Sequence, residues 1–239
     1  MKKLFTLLCL AVGISQSATA GDLAALGSLT GPEFKLLSED LGSALSYKPV
    51  APSEAQGITG FDIGVEVTST DISRSKAILS KAGSGASMLD SLVIPKLHVS
   101  KGLPFGIDVA ASWASIPGIS ANLVGAELRY ALIGGGIAMP AVALRGAMTN
   151  LNGSNELSFS TRSLDISVSK GFLMFTPYAG LGQVWVNSTR NVGTPINETF
   201  TQGKVFAGAN LNLGLLNFAL EFDKTGDAAS TSLKMGLRW

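Results

Sequence analysis

The feature that most restricts this chain is a change of period. From Gly57 to the C-terminus, apolar residues recur at every second position, the mark of strands with one apolar and one polar face. Phe61, Ile63, Val65 and Val67 alternate with Gly60, Asp62, Gly64 and Glu66. Val93, Leu97 and Val99 then oppose Lys96, His98 and Ser100, and Phe105, Ile107, Val109 and Trp113 oppose Asp108 and Ser112. Ala126, Leu128, Tyr130 and Leu132 face away from Glu127 and Arg129, and Val142 and Leu144 from Arg145, within a fifth strand over 137–149. Leu164, Ile166 and Val168 oppose Asp165 and Ser167. The seventh segment, 172–186, sets Tyr178 and Val184 against Phe175, Leu181 and Trp185. Val205, Ala207 and Leu211 oppose Lys204 and Asn210. Leu216, Phe218, Leu220 and Phe222 oppose Asn217 and Glu221, and Leu233, Met235, Leu237 and Trp239 oppose Lys234, Gly236 and Arg238. Ten strands are predicted, with eight or twelve as alternative parsings of the regions 73–90 and near Gly134.

What those strands face follows from composition. Charged residues make up only 15% of the chain, against roughly 25% in soluble domains. Mean hydropathy is positive, +0.34. No segment serves as a spanning helix, because the longest charge-free apolar run, 130–144, is broken by Gly134 to Gly136 and Pro140. A closed barrel spans a bilayer without such helices, since its strands satisfy every backbone hydrogen bond. The reading is therefore all-β: a transmembrane antiparallel up-and-down barrel over 57–239. Connections are expected to alternate, short at 102–104, 134–136, 170–171 and 214–215, longer at 69–91, 116–122, 150–156, 187–199 and 223–230. Both termini then lie on the short-turn, periplasmic side.

The first twenty residues have the parts of a secretory signal peptide: Lys2 and Lys3, an apolar stretch from Leu4 to Ile14, and Ala18-Thr19-Ala20 before Gly21. The stretch falls well short of the roughly 20 residues of a spanning helix. The only cysteine, Cys9, lies within it, so thiol chemistry is excluded from the exported chain. One helix is expected between leader and barrel. Thr30 and Glu33 form a capping box, Pro32 suits a first turn, and Phe34, Leu37, Leu41 and Leu45 make one narrow apolar face. Residues 21–56 are read as this helix and its linker, packed on the periplasmic rim, with a plug inside the barrel as the alternative.

The terminal alternation of Leu233, Met235, Leu237 and Trp239 resembles the C-terminal assembly signal of Gram-negative outer-membrane barrels. Segments 176–182 and 125–130 also look like strands of small outer-membrane proteins. The resemblance extends over the whole exported chain as a pattern, to small barrels without a characterised activity. It implies an outer-membrane location, outer-membrane lipid as surroundings and the barrel assembly machinery as partner.

The polar parity defines the expected interior. Asp62, Glu66, Asp108, Glu127, Asp165 and Glu221 meet Lys96, Arg129, Arg145, Lys204, Lys234 and Arg238, with His98 among them. Balanced charges in so narrow a barrel should pair into a network, leaving a closed lumen and a structural or surface-interaction role. A narrow pore for small solutes is the alternative. His98 and Ser100 have the spacing of the His-x-Ser pairs of outer-membrane phospholipase and lipid A deacylase, in which histidine activates serine. The neighbouring-strand position that orients histidine in those families holds Ser112, and Ser100 is at the periplasmic end, so no catalysis is expected. The sequence contains no metal, cofactor or phosphate-binding motif, and 18 basic against 17 acidic residues produce no field suited to nucleic acid. Asn152-Gly153-Ser154 and Asn187-Ser188-Thr189 match glycosylation acceptors but read as loop composition on a bacterial export route.

Overall fold

A computed structural model describes residues 23–81, 90–116, 120–136 and 138–239. The leader with Cys9, parts of the expected loops at 69–91 and 116–122, and residue 137 at the start of the expected fifth strand lie outside the described residues. Ten strands close into an antiparallel barrel in which each neighbours its sequence neighbours and β1 pairs with β10. They are β1 (Phe61–Asp71), β2 (Ser91–Gly102), β3 (Ile107–Ser115), β4 (Asn122–Gly134), β5 (Ala141–Asn152), β6 (Leu157–Ser169), β7 (Phe175–Arg190), β8 (Ile196–Leu213), β9 (Leu216–Thr225) and β10 (Ala228–Arg238). Helix α1 (Gly31–Leu45) follows a 3-10 turn, Leu23–Ser28, and a short helix, Lys76–Lys81, lies in the first long connection. Among the described residues no helix is long and apolar enough to cross a membrane.

The side-chain parity is the one read from the sequence. Leu220 is 40% exposed while Glu221 beside it is fully buried, so neighbours on one strand face opposite media. The outward rows of Ile63, Leu97, Leu128, Leu164, Leu181 and Leu233 form an apolar belt. Exposed aromatic rings sit at both of its margins: Tyr130 and Trp239 toward the end where β1 begins and β10 finishes, the near end, and Trp113 and Trp185 toward the far end. Such a belt between aromatic girdles is what a bilayer selects.

The connections differ from the expected alternation. Only 72–90 is long; at the far end 153–156, 191–195 and 226–227 are as brief as the near-end turns. The strands simply continue. The β6–β7 ladder runs up to Leu157 opposite Arg190, and β7–β8 up to Arg190 opposite Ile196, absorbing most of the expected 187–199 loop. These stretches are polar, with Asn187, Thr189, Asn197 and Thr199, and so lack the apolar alternation that betrays a strand.

The seam between first and last strands runs from Asp62 opposite Arg238 to Thr70 opposite Ser230. It ends in a reciprocal pair, Phe61 N–H to Trp239 O at 2.8 Å and Trp239 N–H to Phe61 O at 3.0 Å, with the two rings 4.9 Å apart. Trp239 thus supplies the last hydrogen bonds of the closure. Changing Trp239 to Asp, or deleting it, is expected to reduce the heat-modifiable barrel recovered from outer membranes; normal yield of both variants would exclude a role for this residue in assembly.

Candidate functional site

The interior is occupied by the chain's own N-terminal segment. The expected packing of α1 on the periplasmic rim is not what the structure shows: residues 26–56 run down the barrel axis and contact inward-facing side chains of the wall. The path starts at the far end, where Arg190 Nη1 donates to Leu29 O at 2.6 Å and to Leu26 O at 3.0 Å. Next, Ser38 Oγ donates to Ser188 Oγ at 2.9 Å, and Thr149 Oγ1 to Leu45 O at 2.9 Å. Lower down, Lys48 Nζ meets Asp223 Oδ2 at 2.7 Å, Lys204 Nζ donates to Tyr47 O at 3.0 Å, and Ser53 Oγ to Ser167 Oγ at 2.9 Å. At the near end Gln56 donates to Ser100 Oγ and Asp108 Oδ1. The chain then enters β1.

The physical reason lies in the wall. Toward the far end the inward positions are apolar: Ile94, Leu123, Leu157, Phe159, Val184 and Val186 join Leu26, Leu29, Phe34, Leu37 and Leu45 in one buried cluster. A periplasmic helix would leave both apolar surfaces in water. The signal was present in the sequence, since Leu157, Phe159, Val184 and Val186 have the parity of the charged interior positions. The buried side of α1 is also wider than its apolar stripe, taking in Ser38, Asp40, Gly42 and Ser43. Small and hydroxyl-bearing residues let the helix back closely approach the wall, and Asp40 accepts from Ser75 Oγ at 2.7 Å and Ser75 N–H at 3.1 Å. Burial raises the Asp40 carboxyl above its ordinary range, an effect those bonds oppose. The capping box forms as read, with Thr30 N–H donating to Glu33 Oε2 at 2.8 Å.

Below α1 the segment is extended and polar. It bends at Val50, fully buried with φ +40°, a conformation uncommon for a β-branched residue and held here by its surroundings. Tyr47 lies against Gly125, where an added Cβ would come within 2.9 Å of the ring; glycine in that wall position makes room for the plug.

The charges expected inside all face inward, and most are paired. Lys234 meets Asp62 at 3.0 Å, Lys96 meets Glu66 at 2.8 Å, Arg129 meets Asp108 at 2.6 Å, and Arg145 bridges Glu127 and Asp165 at 3.2 Å each. Lys204 serves the plug backbone and Phe206, whose ring centroid is 5.1 Å from its ammonium. Glu221 and Arg238 make no ion pair among the described residues. Sequence reasoning missed Lys48, Asp223 and Arg190, because Lys48 and Arg190 act through the plug. His98 and Ser100 have different partners: His98 Nε2 is 3.2 Å from the Tyr47 hydroxyl and Nδ1 is 3.9 Å from Asp62, while Ser100 accepts from Gln56. Ser112 is opposite His98, as the register requires. No cluster of three or more candidate metal ligands occurs among the described residues.

No family model matches the chain, and no curated protein does. Among solved structures it is similar to Neisserial surface protein A, at 12% identity and TM-score 0.34, covering 75% of this chain and 94% of that one. It is also similar to Ail, the attachment invasion locus protein of Yersinia pestis, at 10% identity and TM-score 0.35 over 75% and 98%. A third is the KdgM porin, at 9% identity and TM-score 0.36 over 73% and 98%. These are bacterial outer-membrane β-barrels; the ten-strand closure itself rests on the registers above.

Two sets of substitutions test the threaded interior. In the exported chain, Ser38→Cys with Ser188→Cys should form a disulfide in the folded barrel, detected as resistance to alkylation; free thiols in folded protein would place α1 elsewhere. Lys48→Met should destabilise by about 3–5 kcal/mol, because it strands a buried carboxylate, whereas Lys48→Met combined with Asp223→Leu should recover most of that loss in urea unfolding.

Proposed function

We propose that this chain is an integral outer-membrane barrel closed by its own N-terminal segment, with a structural or surface-interaction role. The observation that carries this reading is the continuous path of residues 26–56 through the lumen, bonded to the wall at both ends and in the middle. Apolar packing fills the far half and ion pairs fill the near half, and among the described residues no lane of one charge sign and no open apolar passage runs between the ends.

The outer-membrane location is supported by the lipid-compatible belt, the aromatic margins and the resemblance of the last strand to an assembly signal. In that orientation the near end is periplasmic and the far end faces outward. The absence of a hydrolase role is supported by the partners of His98, which tie the imidazole to Tyr47 and Asp62 instead of Ser100.

Planar-bilayer recording of the refolded exported chain tests the closed lumen. The intact protein should be silent, and removal of residues 22–52 should either open a steady conductance or prevent folding. Steady openings of the intact chain would favour a narrow solute pore instead.

A further inference from the structure

Two grooves lie in line on the outer wall formed by β5, β6 and β7. The upper one, about 370 Å³, faces outward at the far end and presents Asn150, Asn152, Ser158, Ser160, Asn187 and Thr189. Its lining also takes in Val124, Leu151 and Phe159, and includes no charged residue. The lower one, also about 370 Å³, is lined by Val142, Ile166, Val168, Ala179 and Leu181 and is apolar. Between them stands Arg162, exposed and in register with Met148 on one side and Trp185 on the other. It makes no ion pair or hydrogen bond among the described residues.

The order along β6 is therefore hydroxyl, hydroxyl, guanidinium and then three aliphatic side chains: Ser158, Ser160, Arg162, Leu164, Ile166 and Val168. On β7 it is Thr189, Asn187, Trp185, Gln183, Leu181 and Ala179. A lipid-facing arginine costs about 2–4 kcal/mol at the bilayer midplane and about 0–1 near the interface. Arg162 thus marks the headgroup level, and Trp185 beside it is the side chain favoured there. At that level a free guanidinium meets phosphate, for which its paired donors are suited. Neutral hydrogen-bonding groups lie immediately outside, and an apolar furrow immediately inside. A simple phospholipid has no use for the upper groove, and a free saccharide has none for the lower.

Resting on the outer-membrane reading above, we propose that this wall is a binding site for one molecule of an outer-leaflet glycolipid, an acylated saccharide bearing phosphate. Arg162 takes the phosphate, Asn150, Ser160 and Asn187 take sugar hydroxyls, and one acyl chain lies along Ile166, Val168 and Leu181.

The test is native mass spectrometry of the refolded exported chain in detergent, with lipid A, dephosphorylated lipid A, phosphatidylglycerol and inorganic phosphate as separate probes. One lipid A should be retained, more strongly than any other probe. Arg162→Gln should weaken retention roughly tenfold, the loss of about one charge-assisted contact at 1.4 kcal/mol. Asn187→Leu with Ser160→Leu should bring lipid A down to the level of phosphatidylglycerol. Lys76→Gln, in the connection between β1 and β2 and so across the barrel from β5 to β7, should change nothing. Equal retention by the parent and Arg162→Gln would overturn the proposal, and so would equal retention of lipid A and phosphatidylglycerol by the parent. Heat-modifiable migration of each protein is read in parallel. A parent that forms no heat-modifiable barrel counts against the membrane reading itself, whereas a folded barrel without preference for lipid A counts against this site alone.

Discussion

Everything in this molecule depends on leaving no strand edge unpaired where the solvent is lipid. An open sheet in that medium exposes rows of N–H and C=O groups, each costing several kcal/mol. Closing β1 on β10 removes the last two edges at once, and the reciprocal bonds of Phe61 and Trp239 complete the ladder. Closure then creates a second demand, because it encloses a space whose walls must also be satisfied.

That space is met in two ways along its length. At the far end the wall is apolar and takes the apolar face of α1, as a globular core would. Toward the near end the wall bears charges, and the extended segment supplies Lys48 and several backbone carbonyls to meet them. Buried ion pairs such as Lys234 with Asp62 add little net stability beside apolar packing of equal volume. What they do is fix partners and register, since any slip of β10 against β1 by one residue would turn Lys234 into lipid.

Much of the barrel was readable from period alone. Strand number, order and facing follow from alternation, since a residue's neighbours two positions away share its medium. The polar ends of β7 and β8 escaped because both faces meet hydrogen-bonding surroundings there, which erases the contrast that alternation reports. The interior was half legible. Charges at Asp62, Glu66, Lys96, Asp108 and Arg129 identify themselves by type and parity, but partner choice depends on barrel stagger. The plug was misplaced because α1 was judged by its apolar stripe alone. The flanking Ser38 and Gly42, with Ser43 behind, look solvent-exposed in sequence, yet these small residues also allow close approach to the wall, where Ser38 meets Ser188 and Ser43 meets Ser230.

The threaded path constrains time as well as space. Leu26 lies at one mouth of the ring and Gln56 at the other, yet the segment is joined directly to β1. A helix with its side chains is about 10–12 Å across, so the segment fills the ring it passes through. Among the described residues none before Phe61 belongs to the ladder, so the segment can move only lengthwise, through one mouth or the other. Withdrawal therefore releases the contacts at Arg190, Thr149, Asp223 and Ser100 in series, not all at once, and the segment behaves less as a lid over the barrel than as a bolt drawn through it.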